Sequence, residues 1–179
     1  MSRPPFDAPS AADVLAVSAQ LGRPAREVIG IAARTGTGVP VVVSTAPRLS
    51  DGTPFPTIYY LCHPAATAAM SRLEAAGVMN ELNRRLADDD GLRAGYAAAH
   101  RSYIADRESV LVIPELGGVS AGGMPDRVKC LHALAAHALA AGPGVNPIGD
   151  IVLAMADWSI ADAPAAPELP EAAAGADSR

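Results

Sequence analysis

EVIGIAARTGTGVPVVVST (27–45) decides the fold class. Its two halves, 27–34 and 39–45, are rich in β-branched residues and too short for buried helices. The TGTG segment between them (35–38) supplies glycines for a chain reversal, so the stretch reads as an antiparallel hairpin. A third strand is expected at TIYYL (57–61). It follows PRLSDGTPFP (47–56), a connection long for a hairpin loop but stiffened by three prolines.

The chain on both sides of this sheet reads as helical. Ser10 and Asp13 form the capping signature of a helix over 11–21, which Gly22 stops. Pro64 opens a helix at 65–76 with Ala66, Ala69, Met70 and Leu73 on one face. Val78, Leu82 and Leu86 mark a successor at 78–87, with Glu81 and Arg85 spaced to pair on its wet side. Leu92, Tyr96, Ala99 and Tyr103 recur along a helix at 91–107, for which Asp90 is the expected cap. Two further helices are expected at 126–141 and 147–157, the last with Asn146 as N-cap and Pro147 at its first position. The fold class is therefore α+β: a small antiparallel sheet of three strands covered by six helices.

These elements form one domain over 10–158. Residues 1–9 and the Ala/Pro-rich acidic tail 159–179 hold too few large apolar groups to offset the entropy of ordering, and are expected to be disordered. Ala supplies about a fifth of the chain and aromatics 4%, which favours closely packed helices with small contact residues. The net charge of -5 and pI near 5.3 argue against a nucleic-acid binder. The start lacks the apolar core of a signal peptide, and the longest apolar run (131–141) is too short for a membrane span. A cytoplasmic protein with unpaired cysteines is the expectation.

Reactive side chains gather in SAGGMPDRVKCLHALAAHALAAGPGVNPIGD (120–150), between two Gly/Pro-rich turns. With a helix starting at 126, the amides around Gly122 and Gly123 would face an anion, and Arg127 and Lys129 would add charge. Arg48 and Asp51, on the proline-stiffened loop, are the other candidates for a phosphate- or carboxylate-bearing ligand. Asn146 joins this ligand-binding set, although a helix cap is its simplest role. Cys130, with His132 or His137, is the candidate for chemistry, since a thiol early in a helix beside Arg127 and Lys129 favours the thiolate. On a regular helix Cys130 and His132 would point about 160° apart, and Cys130 and His137 would lie roughly 10 Å apart. No bound metal or other cofactor is therefore expected; a metal would need Cys62 or His63 as well.

Several segments are familiar together: QLGR (20–23), APRLSDGTPFPTIYYL (46–61), SRLEAAGVM (71–79), AHRSY (99–103), GGMPDRVKCLH (122–132) and AHALAAGPGVNPIGD (136–150). They resemble the domain-of-unknown-function 501 family of bacterial, mainly actinobacterial, proteins, with the likeness spanning about 16–155. The resemblance implies no particular activity. Family members tend to lie near genes for a septum-formation protein and an exopolyphosphatase, which implies a link to division or phosphate metabolism. Members also carry a Cys after the strand arginine, in an R-C-x-x-G form, where this chain has Thr35; a metal set using that cysteine would be incomplete here. Two functions follow as expectations. One is a pocket for a small anionic ligand, with or without catalysis; the other is a non-catalytic interaction protein whose rigid loops dock a protein partner.

Overall fold

The computed structural model describes residue 4 and residues 6–163. The elements run α1 (Ala11–Leu21), β1 (Val28–Arg34), β2 (Pro40–Thr45), β3 (Tyr59–Leu61), α2 (Pro64–Ala75), α3 (Val78–Asp88), α4 (Asp90–Val110), a 3-10 turn at Pro114–Leu116, α5 (Leu131–Ala141) and α6 (Pro147–Met155). This is the α+β arrangement expected, with an antiparallel sheet in the order β1-β2-β3. β2 is buried along its whole length, as suits its run of three valines. Among the described residues no helix is long and apolar enough to cross a membrane.

The capping box at Ser10–Asp13 forms as the spacing predicts. Asp13 has a second duty, because its carboxylate takes both terminal nitrogens of Arg34, at 2.6 and 3.0 Å. The Arg34 guanidinium therefore holds the Asp13 carboxyl well below the usual carboxylate range, and α1 is tied to the end of β1. Val17 packs with Ile31, Val43 and Cys62 on this face of the sheet.

α5 carries the main core. Leu131, Leu134, Ala135, Ala136, His137 and Ala138 are all buried, so the helix is covered on nearly every side. Its alanines let α6 approach closely, and the approach requires glycine at position 149. A Cβ there would stand 2.3 Å from the Leu134 carbonyl oxygen and 2.7 Å from the Ala138 Cβ. The aromatics, few as they are, stack at the centre. The His137 ring lies parallel to Tyr59, with centroids 5.7 Å apart, and edge-on to Tyr103 at 5.1 Å. Tyr59 donates to Asp106 at 2.8 Å, and the Tyr103 hydroxyl accepts the Ile58 N–H at 2.9 Å. Arg107, 1% exposed, donates to the carbonyls of Leu116 and Val119 and so fastens the segment after α4.

Several boundaries and partners differ from the sequence reading, each for a local reason. The cap of α4 is Asp89, which accepts the Leu92 N–H, and the helix runs on to Val110. Glu81 pairs with Arg84, three residues on, in place of Arg85. β3 is shorter than 57–61. The N-terminal stretch is not wholly outside the fold: Asp7 bridges to Ile31, and the Phe6 ring lies 6.0 Å from Tyr59. Most of the expected disordered tail, from residue 164, lies outside the described residues.

The largest change is at α5, which starts at Leu131, five residues later than the expected 126. Gly122 and Gly123 adopt φ of 68° and 93°, and the chain doubles back so that the Gly122 carbonyl accepts the N–H groups of Lys129 (2.8 Å) and Cys130 (3.3 Å). The Asp126 segment is therefore turn.

Candidate functional site

The displaced helix start decides what Cys130 can do. The turn delivers Cys130 as the extended N-cap residue of α5, at φ -149° and ψ 111°. Asn83 clamps Val128, two residues before Cys130, from both sides, donating to its carbonyl at 3.0 Å and accepting its N–H at 2.8 Å. Cys130 cannot cap with an oxygen, so the Leu131 N–H is taken by Glu74 Oε1 of α2 at 2.7 Å. The 160° divergence expected of Cys130 and His132 assumed both on one regular helix. With Cys130 at the cap, its sulfur, one imidazole nitrogen of His132 and a Glu74 oxygen all lie within 4.8 Å of one another.

His132 is held on both sides. Its Nδ1 stands 3.2 Å from Glu74 Oε1, while its Nε2 is 3.1 Å from the Thr67 carbonyl and 3.2 Å from the Ser71 hydroxyl. Thr67, Ser71 and Glu74 recur at i, i+4 and i+7, so one polar stripe of α2 faces the start of α5. The side chains of Glu74 and His132 are each 26% exposed, enough for a ligand to reach them.

The two cysteines experience opposite fields. Hydrogen bonding to His132 pulls the Cys130 thiol below its ordinary range, against burial, and the Ala133 N–H adds to the effect. In return the Cys130 partner, with help from Glu74, raises the His132 imidazole above its ordinary value against burial. Cys62, buried among Val17, Ile31 and Val43, is pushed up to about 12 by desolvation. Of the two thiols, Cys130 is the one whose surroundings favour the thiolate, although the Glu74 charge opposes it.

These side chains open onto a cleft of about 610 Å³ between β3, α2 and the start of α5, lined by Tyr60, Cys62, Thr67, Ser71, Cys130 and His132 among others. Among the described residues that line it there is no Arg or Lys. A smaller cleft of about 270 Å³ shares Leu21 and Tyr60 with it and contains Arg23, Arg26 and Asp51.

A family model described as a protein of unknown function, DUF501, matches residues 31–154, which takes in Glu74, Cys130, His132 and both glycine turns. The chain belongs to the DUF501 family. Among the elements described, α1 lies wholly outside that DUF501 match, and β1 and α6 run slightly past its ends. No match was found among curated proteins or solved structures.

The remaining candidate residues of this DUF501 protein sit elsewhere. Arg48 donates to the Gly52 carbonyl at 2.7 Å and pairs with Glu115 at 2.8 Å. Asp51 accepts the Thr53 N–H of its own turn at 2.9 Å. Arg127 and Lys129 are exposed on the turn before α5, and none of these four lines the larger cleft. Gly122 and Gly123 have packing reasons to be glycine, since a Cβ would meet Leu134 at 2.5 Å or the Arg127 carbonyl at 2.4 Å. Asn146 caps α6 by accepting the Gly149 N–H at 2.9 Å, which leaves its amide nitrogen to donate to His137 Nδ1 at 3.2 Å. His137 is 0% exposed, and burial lowers its pKa to about 4, so it is a neutral core ring and not a partner of Cys130. His63 stands at the N-cap position of α2 with no side-chain cap bond, its ring 5.7 Å from that of Trp158. Thr35, where the resemblance implies a cysteine in other members, closes the hairpin loop by accepting the Val39 N–H.

The residues the sequence reading missed are Glu74, Thr67 and Ser71. Their polar i, i+4, i+7 stripe, on a helix whose other face is Ala66, Ala69 and Met70, was the available signal.

Proposed function

We propose that this protein binds a small ligand in the cleft between β3, α2 and α5 and that Cys130 reacts with it covalently. The observation that carries the proposal is that Cys130 and His132 meet on the wall of that cleft with Glu74 beside them. Nucleophile, proton carrier and orienting carboxylate stand in contact, as covalent catalysis by a thiol requires. The chemistry that fits is acyl transfer. The Cys130 thiol gives its proton to His132 as its sulfur attacks a carbonyl carbon, and the C=O electron pair moves to oxygen. Its collapse expels a leaving group that takes the proton from His132. Water, giving a proton to His132, then hydrolyses the thioester and restores the thiol.

The anionic-ligand reading through Arg48 and Arg127 receives less support, because Arg48 is already matched by Glu115. The interaction-protein reading draws on one observation: Leu111, Val112 and Val119 are exposed around the turn after α4.

An activated aryl ester such as p-nitrophenyl acetate tests the acyl-transfer reading. Folded, chelator-treated protein is expected to release a rapid burst of nitrophenolate near one equivalent per chain and to carry the acetyl group on Cys130. Cys130→Ser is expected to lose the burst while melting near the wild-type temperature. A wild-type reaction no faster than that variant's would overturn the proposal.

A further inference from the structure

Electron pairs crowd the space between Glu74, Cys130 and His132. The Thr67 carbonyl can only accept, so at 3.1 Å it places the imidazole proton on Nε2. Neutral His132 then turns the Nδ1 lone pair toward the Glu74 carboxylate, 3.2 Å away, with the Cys130 sulfur in the same group. A cation between three electron-pair donors this close would be favoured. A proton on Nδ1 is one solution and gives the state used above for chemistry.

We infer that a divalent transition metal of the zinc class is the other solution: Glu74, Cys130 and His132 form a three-ligand site whose fourth position opens into the cleft. Sulfur, imidazole nitrogen and carboxylate oxygen are the donor types zinc takes, and three protein ligands with one open position is the pattern of its reactive sites. Tetrahedral bonds to these atoms place the ligands roughly 3.3–3.6 Å apart. The Glu74–His132 pair already stands near that spacing, and the whole set lies within 4.8 Å. The outer shell is also in place. Nε2 of His132 donates to a backbone carbonyl, and Glu74 is steadied by the Leu131 N–H at 2.7 Å. The set needs neither the family cysteine position nor Cys62 or His63.

Metal and thiol chemistry use the same sulfur, so the site holds one or the other. Bound zinc occupies the sulfur electron pair and silences the acyl transfer proposed above, on which this regulatory consequence rests; metal binding itself does not. The test titrates Co²⁺ into full-length, chelator-stripped protein and follows the near-ultraviolet thiolate-to-cobalt band. The band is expected to saturate at one cobalt per chain, to be displaced by Zn²⁺, and to vanish in Cys130→Ser. Glu74→Gln keeps an oxygen for the Leu131 N–H but loses the anionic ligand, and should weaken cobalt binding at least about tenfold without lowering the melting temperature much. A missing band, or one unchanged by Cys130→Ser, would overturn the metal site. The ester burst separates the two ideas: cobalt binding without a burst in metal-free protein leaves the metal site and removes acyl transfer, while a burst without cobalt binding does the reverse.

Discussion

Gly149→Val is expected to destabilise the protein by about 3 kcal/mol or more, lowering its melting temperature by roughly 6–12 °C. The reason is backbone contact. A Cβ at 149 would stand 2.3 Å from the Leu134 carbonyl oxygen, which no rotamer change can relieve. α6 would have to move off α5, opening the buried layer that holds Leu134, Ile148 and Val152. Gly149→Ala sharpens the test. In an exposed helix that change stabilises by about 0.8–1 kcal/mol, whereas here its sign should reverse. Thermal unfolding of the two variants decides the matter, and an alanine variant as stable as wild type would show that the two helices do not meet as described.

Acid should weaken the fold through His137. Its folded pKa is depressed by burial from 6.5 to about 4, so between these values the unfolded chain binds the proton and the folded chain does not. A depressed pKa means stability that is full above about 6.5 and lost as pH falls toward 4, by up to about 3 kcal/mol. Burial lowers His63 and His100 in the same direction, and Asp13 adds a loss at lower pH still. His137→Gln isolates the core residue, because Gln can still accept from Asn146 but takes up no proton. Denaturant titrations from pH 7 to 4 should find the variant catching up with wild type; parallel curves would place a charged or solvated imidazole at 137.

The hairpin was legible because β-branched runs around a glycine loop leave few alternatives, and the capping box at Ser10 and Asp13 because its partners are three residues apart. The start of α5 was not. Pro125-Asp126-Arg127 has the local form of a helix opening, but two left-handed glycines and the Asn83 clamp turn that segment aside. The acceptor that does satisfy the first turn, Glu74, comes from a helix 57 residues earlier in the chain. That single displacement also hid the site, since it moves Cys130 off the helix and beside His132. Cys130 and His132 were conspicuous as residue types, while Glu74 showed only as part of a stripe. His137 misled for the opposite reason: its spacing from Cys130 says nothing of the tyrosines that bury it.

The central claim is that Cys130, held by His132 and Glu74 at an open cleft, is the reactive group of this protein. Brief treatment of the folded, chelator-treated protein with limiting iodoacetamide, followed by mass-spectrometric mapping, tests it most directly. Cys130 is expected to be carboxamidomethylated almost alone, with Cys62 untouched until the protein is unfolded. Equal labelling of the two cysteines, or a Cys130 as inert as the buried Cys62, would contradict the account.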